Sequence, residues 1–369
     1  MKNLLKNQKF WLYISLGYLF AVLFFIFVYD KAISFKLDVN GNIIDKIFIK
    51  KIPPLDKDDY DRRLNLLAHI ATTTISTSTA TTTITASSTT STSTKLSLWP
   101  VKTVYPNDGA ILPFKRIVAY YGNLLSKGMG VLGEYPEDEM LAKLDVEVQK
   151  WNLADPETPA IPALHYIAVT AQARAGEEGK YRLRMKEEEI DKVITMAEKI
   201  NALVFLDIQI GQSTIQEELP LLEKYIKLPQ VHIAVDPEFS MKNGRLPGIH
   251  VGNYDAVEIN YVTDYLAQIV KENNLTPKIF VIHRYTQEMV TNYKLIKTVP
   301  EVQIVIHMDG WGPDYNKLTS YKKYIYKEPV QFTGFKLFYK NDLWKPSTGI
   351  MTPEDILKLT PQPVYIQYQ

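Results

Sequence analysis

The sequence predicts a (β/α)8 TIM-like barrel lacking its last helix, placed after a transmembrane helix and a disordered Ser/Thr-rich stalk. Three observations predict the barrel. Between Lys95 and Gln369, eight short apolar runs alternate with longer amphipathic stretches, and eight β-then-α units in about 275 residues match such a barrel in count and size. Segments leaving the runs are long, whereas those leading into them are short, as at Leu228-Pro229-Gln230 and Pro300-Glu301. A doubly wound open sheet, the other α/β solution, would carry a Gly-rich first turn, and none is present.

Taken from the N-terminus, Lys2, Lys6 and Lys9 precede an uncharged apolar run from Phe10 to Tyr29. Its length suits a helix crossing a bilayer core of roughly 30 Å. Trp11, Tyr13 and Tyr29 stand near its ends, where aromatic belts form, and the leading lysines predict a cytoplasmic N-terminus. No small-residue cleavage pattern follows Leu23, so a retained signal anchor is expected over residues 10–29, with 1–9 inside the cell. The lipid bilayer is thus one expected partner.

Residues 30–70 read as a short polar connector. Within it Asn40-Gly41, between Ile33–Leu37 and Ile43–Ile49, signals a hairpin, because both turn residues tolerate positive φ. Residues 71–94 are almost entirely Ser, Thr, Ala and Ile. Such a segment cannot bury enough apolar area to offset its chain entropy, so it reads as a disordered spacer with a span of roughly 25–30 Å.

The barrel domain covers residues 95–369. Its predicted strands are Arg116–Gly122, Ala163–Gln172, Ala202–Gly211, Val231–Phe239, Lys278–Arg284, Val302–Gly310, Phe332–Lys340 and Pro363–Gln369. They are rich in Val, Ile, Phe and Tyr and nearly continuous in apolar character, as strands covered on both faces must be. Helical spacing predicts helices over Glu137–Trp151, Lys186–Ile200, Glu217–Ile226, Asp255–Glu272 and Thr286–Thr298. No helical pattern follows strand 8. The segment Lys95–Phe114 is expected to cover the missing helix's place, with Gln369 at the rim of the C-terminal face.

Polar residues set into the ends of these strands carry the functional reading, because burying a charge is costly unless it is paired or used. Strand 3 offers Asp207 and Gln209, strand 4 Asp236 and Glu238, and strand 5 His283 and Arg284. Strand 6 offers His307 and Asp309, strand 7 Lys336, strand 8 Tyr365 and Gln367, and strand 2 ends at Gln172. Convergence on the face that also bears the long loops predicts a site there. The bland alternative is a ring of ion pairs, with Asp207, Asp236, Glu238 and Asp309 against Arg284 and Lys336, sealing the mouth without a cavity. His165 and His232 lie earlier in their strands and read as core histidines. Trp311 and Trp344 are candidate platforms for sugar rings.

Hydrolysis of a glycosidic bond needs one protonated carboxyl and a second carboxylate. Asp236-Pro237-Glu238 would set two carboxyls about 6.5–7 Å apart along one strand face. Glu238 is assigned as the acid, Asp236 as its orienting partner, and Asp309 or Asp207 as the second carboxylate. Gln172, Gln209, His283, Arg284, His307, Lys336, Tyr365, Gln367 and Trp311 are the candidate substrate-binding residues. Asp-x-Glu at the end of strand 4, with Asp309 on strand 6, resembles the chitinase-like glycoside hydrolases of family 18, and less closely the family 25 muramidases. That resemblance implies Glu238 as proton donor. The sequence departs from the family in having Asp236 alone of a longer aspartate series, DIQIGQS on strand 3, and Tyr365 and Gln367 in place of a Trp. The domain also resembles a group of bacterial secreted barrels, which implies the fold alone.

Two other readings stand beside this one. Asp207, Glu238, His283, His307 and Asp309 could ligate a metal for a hydrolase, lyase or isomerase, although no H-x-H or HExxH spacing supports it. A barrel that binds cell-surface glycan without cleaving it would keep the same residues. The 42 Lys+Arg and 41 Asp+Glu, net +1, provide no electrostatic footprint for nucleic acid. The chain has no cysteine, which excludes disulfides, thiolate ligands and a cysteine nucleophile. No P-loop, no GxGxxG opening a helix and no Gly-x-Ser-x-Gly occur, so no cofactor is implied. The expected partner is an extracellular polysaccharide or the cell wall.

Overall fold

The computed structural model describes residues 36–37, 43–44, 52–70, 97–242 and 244–369. The apolar run 10–29, the turn at Asn40-Gly41 and the Ser/Thr-rich segment 71–94 lie outside the described residues. No helix among the described residues is long and apolar enough to cross a membrane. The chain divides into the units Met1–Pro53 and Pro54–Gln369. In the first, Lys36–Leu37 pairs antiparallel with Ile43–Ile44, so the two flanks of Asn40-Gly41 are joined.

The second unit is a closed parallel barrel. Its strands are β1 (Arg116–Gly122), β2 (Ala160–Ala171), β3 (Leu203–Ile208), β4 (Val231–Val235), β5 (Lys278–Arg284), β6 (Val302–Met308), β7 (Phe332–Leu337) and β8 (Tyr365–Tyr368). Each pairs with its sequence neighbours, and β8 closes on β1 with Tyr365 opposite Ile117. A TIM-like barrel is therefore the fold.

Apart from the register shift in β2 between Ile167 and Val169, side chains alternate between two cores, as the period of two requires. Outward residues such as Val118, Leu164, Val204, Ile233, Ile282 and Ile304 pack under the helices. Inward residues such as Ala119, Ala163, Phe205, Ala234, Val281, Val305 and Tyr365 fill the barrel. Small and large inward residues complement each other. A methyl group added at Gly334 would overlap the His307 ring, so glycine is what admits that histidine to the interior.

The outer helices follow their apolar spacing. α2 (Glu137–Ala154; α1 is described below) opens with Glu137, Asp138 and Glu139 against the positive end of its dipole and buries Met140, Leu144, Val148 and Trp151. α3 is Glu187–Lys199, and α4 is Ala256–Glu272, started by a capping box between Asp255 and Glu258. After β3 the predicted helix is broken into Ile215–Glu218, Leu219–Leu222 and Glu223–Ile226, with Pro220 inside the break.

The helix expected over Thr286–Thr298 does not form. Val290–Thr291 instead pairs with Tyr254–Asp255, and Asn292 takes a left-handed φ of 55° that ends any helical run. Buried Arg284 holds the preceding loop by donating to the carbonyls of Thr286, Gln287 and Val290.

The N-terminal end of the barrel is closed by two segments. One is α1 (Lys57–Leu67), an 11-residue helix within the stretch read as a polar connector. Asp56 caps it by accepting from the Asp59 N–H, and Tyr60 and Leu67 join the interior core with Leu112, Ile279 and Phe332. The other is 97–114. It does not occupy the place of an eighth helix. Its Trp99 indole donates to the Tyr326 carbonyl, and the amides of Ile111 and Leu112 donate to Gln303, at the start of β6. Outside β8 and β1, the rings of Tyr120, Tyr339 and Tyr368 pack together, and Trp151 of α2 donates to the Tyr368 hydroxyl.

Candidate active site

The opposite end, at the C-terminal ends of the strands, opens into a cavity of about 670 Å³. Tyr121, Gln209, Asp236, Glu238, Tyr285, Asp309, Lys336 and Trp311 line it. A mouth sealed by ion pairs is thereby ruled out, although pairing does occur within the site.

The wall is built from residues just past the strand ends. β4 stops at Val235, and Asp236 caps a 3-10 turn over Pro237–Phe239 by accepting from the Glu238 N–H at 3.1 Å. The expected spacing along one strand face therefore does not apply. The turn brings Asp236 and Glu238 to the same cavity by a different route. Gln209, just beyond β3, donates to the Tyr121 hydroxyl at 3.2 Å and to Asp236 at 3.4 Å, while its carbonyl accepts from Ala171.

Two of the three acids lining the cavity, Glu238 and Asp309, have opposite surroundings. Asp309 accepts from Lys336 Nζ at 2.9 Å on one oxygen and from His283 Nδ1 at 3.0 Å on the other. Burial works to raise its pKa, but the Lys336 and His283 charges outweigh it and hold Asp309 well below the usual carboxylate range. Glu238 makes no salt bridge among the described residues. Burial and the Asp309 charge push its pKa up, and the nearby Tyr285 hydroxyl and the Lys336 and His283 charges offset this only in part. Asp236 is pushed well above its ordinary value, chiefly by burial. Lys336 also lies 3.9 Å from the Tyr121 ring centroid, so the ring supports its charge on the other side.

Beneath this wall lies a fully buried layer. Asp207 accepts from the Tyr121 hydroxyl at 3.1 Å, with His165 Nε2 and His283 Nε2 at 3.8 and 3.9 Å from the same oxygen. Those two separations exceed a hydrogen bond. Burial would raise Asp207, yet His283, His165 and Lys336 keep it below its ordinary value. Burial lowers His165 to about 4, whereas Asp309 and Asp207 overcome burial at His283 and raise it. Deeper still, His165 Nδ1 meets the Tyr365 hydroxyl at 2.5 Å and Gln367 Nε2 at 2.9 Å.

Of the predicted site residues, Asp236, Glu238, Asp309, Gln209, Lys336 and Trp311 reach the cavity. Asp207 and His283 sit under it, and His307, Tyr365 and Gln367 form the buried filling, out of reach of a substrate in the cavity. Two assignments are corrected outright. Arg284 points out of the barrel because it is one residue past inward-facing His283. Its guanidinium is taken by the Tyr324 carbonyl, the loop carbonyls and Glu328, at 2.5 Å from the carboxylate. Gln172 is turned away because β2 shifts register between Ile167 and Val169 and its end pairs antiparallel with Arg182–Arg184. The Gln172 amide donates to the Arg182 carbonyl.

His232 is the core histidine expected, accepting from the Ile279 amide. Gln369 lines the cavity, at the rim where it was expected, and Tyr121 and Tyr285 line it without having been assigned a role. The Tyr120-Tyr121-Gly122 strand end and the Arg284-Tyr285 junction were the signals available for the two tyrosines. Trp311 and Trp344 form an edge-to-face pair with centroids 4.8 Å apart, and at 50 % and 58 % exposure both can be reached from solvent.

Among solved structures the chain is similar to one titled "Cellulase Cel5C_n", at 11 % identity and a TM-score of 0.35, covering 60 % of this chain and 65 % of that one. It is also similar to one titled "Crystal structure of a ruminal GH26 endo-beta-1,4-mannanase", at 11 % identity and a TM-score of 0.33, covering 69 % of this chain and 58 % of that one. The chain thus spans less than two thirds of either protein. No family model matches it, and no curated protein does. The chemistry of the site rests on the residues in the cavity.

Proposed function

We propose that this protein is a glycoside hydrolase-like enzyme, membrane-anchored and extracytoplasmic, acting on a cell-surface or cell-wall glycan. The observation that carries the reading is the pair of acids on one cavity. Asp309 is held as a carboxylate by Lys336, while Glu238 makes no salt bridge among the described residues and burial and the Asp309 charge push its pKa up. Acid and carboxylate kept apart by environment are what glycosidic cleavage requires. Glu238 is the proton donor to the leaving oxygen. Asp309 is the second carboxylate, and Asp207, buried beneath the cavity, is not. Asp236 orients Glu238 by accepting its backbone N–H. Gln209, Lys336 and the Trp311–Trp344 pair contact the sugar. The likeness to family 18 rests on Asp236-Pro237-Glu238. The anchor rests on residues 10–29.

The test incubates the full chain in detergent with insoluble polysaccharides, including purified cell walls, and measures both bound protein and released reducing ends. Glu238→Gln is expected to lower release by about 10²–10⁴-fold while binding persists. Binding without release by the unmodified protein would establish a glycan-binding barrel instead. The absence of both binding and release would refute the glycan reading.

A further inference from the structure

We propose that the buried layer under the cavity is a divalent transition-metal site, with His165 Nε2, Asp207 and His283 Nε2 as its protein ligands. One ligand atom from each lies within 4.8 Å of the other two, and all three residues are fully buried. The set differs from the one considered on sequence grounds. Only Asp207 and His283 of that set converge, and the third ligand is a histidine that reads as core.

The unpartnered atoms point the same way. Among the described residues His165 Nε2, His283 Nε2 and Asp207 Oδ1 make no hydrogen bond. A buried polar atom without a partner is costly, so two unpartnered Nε2 atoms beside one carboxylate, whose Oδ2 already accepts from Tyr121, need an explanation. Ligands about 2.1 Å from a shared tetrahedral ion stand about 3.4 Å apart. The Nε2–Oδ2 separations of 3.8 and 3.9 Å close to that with shifts of a few tenths of an ångström.

Both histidines also carry an outer partner on the other ring nitrogen, the arrangement that fixes a ligating tautomer. His283 Nδ1 faces Asp309 at 3.0 Å, so Nδ1–H donates to the carboxylate and Nε2 presents its lone pair inward. His165 Nδ1 faces the Tyr365 hydroxyl and the Gln367 amide, whose Oε1 makes no hydrogen bond as placed. A half-turn of that amide, which exchanges two nearly equivalent ends, lets Oε1 accept from Nδ1–H. Two imidazoles and one carboxylate suit zinc, cobalt(II), manganese(II) or iron(II). The Tyr121 hydroxyl lies against Asp207 between this layer and the cavity.

The site does not depend on the glycosidase reading, and its test reads metal rather than hydrolysis. The full chain in detergent is stripped with a chelator, titrated with zinc or cobalt(II) chloride, desalted and assayed for metal. One equivalent per chain is expected, with visible cobalt d–d bands and a metal-dependent rise in Tm. Asp207→Asn and His165→Gln should each weaken binding by more than the roughly 10–100-fold that loss of an outer partner costs. Exposed His69 and His250 supply the control, since replacing both with alanine should leave the equivalent in place. The proposal is overturned if the unmodified chain retains no stoichiometric metal, or if the His69/His250 variant loses it. It is equally overturned if folded Asp207→Asn and His165→Gln proteins bind as tightly as the parent. Should those variants fail to fold, the parent and the surface variant still decide.

Discussion

At the N-terminal end of the barrel the Lys278 ammonium donates to the carbonyls of Leu228 and Val231. At the C-terminal end Lys336 pairs with Asp309 and lines a cavity. Both lysines are almost wholly buried, yet their settings differ. Among the described residues Lys278 meets only neutral oxygens, and burial pushes its pKa down to about 7. From the outer face it ties the start of β4 to β5, at the end whose interior is filled by Tyr60, Leu67, Leu112 and Phe332. Lys336 sits among carboxyls that it treats unequally, holding Asp309 well below the usual carboxylate range while Glu238 and Asp236 make no salt bridge among the described residues. One end is built for closure, and the other keeps unequal charges facing a space a ligand can enter.

Three perturbations sharpen that contrast. The largest effect is expected from deleting residues 54–70. This removes the buried Tyr60 and Leu67 side chains, each worth about 1.5–3 kcal/mol of burial, and leaves the interior core open to water. Urea denaturation should show a midpoint well below that of the parent. An unchanged midpoint would mean that α1 adds nothing to the floor.

Next, Lys336→Met leaves Asp309 buried with His283 as its remaining partner, and should cost about 3–5 kcal/mol at neutral pH. A compensating Lys336→Met/Asp309→Leu double substitution should recover most of that stability while abolishing release of reducing ends. If the single variant is as stable as the parent, the ion pair does not organise the mouth.

The smallest effect is expected from Asp236→Asn. The folded-state pKa of Asp236 is raised above its ordinary 3.8. Its favourable contribution is therefore complete below about pH 3.8 and is lost as pH rises through the folded value. Asn keeps the acceptor for the Glu238 N–H and cannot ionise. The variant should thus melt a few degrees above the parent at pH 7–8, with the gain vanishing near pH 4. A gain independent of pH would show that Asp236 is not an ionising burden on the mouth.

Much of the fold was legible in the sequence because strand alternation is local. Phe205-x-Asp207-x-Gln209, Ala234-x-Asp236, His307-x-Asp309 and Gly334-x-Lys336 all face inward as their spacing requires. The same rule, applied one residue too loosely, paired Arg284 with His283, whereas adjacent strand residues must point to opposite sides. The helix expected over Thr286–Thr298 failed because its apolar spacing could not reveal that Arg284 would bind the loop's carbonyls. α1 was missed because its apolar face is only Tyr60, Leu64 and Leu67 among charged residues, and it gains its stability from packing on Leu112 and Phe114.

The sequence by itself determined the eight-strand alternation, the end of the barrel that would carry acids, and the assignment of Glu238 and Asp309 as candidates. Those follow from periodicity and from the cost of burying charge, which any single strand displays. Only the tertiary structure decided that Glu238 and Asp309 share a cavity, that Asp207 lies beneath it, and that His165 and His283 face one carboxylate. Those relations join residues far apart in the chain. Their distances are set by barrel closure, by the register between neighbouring strands and by how far each strand runs before its loop turns away.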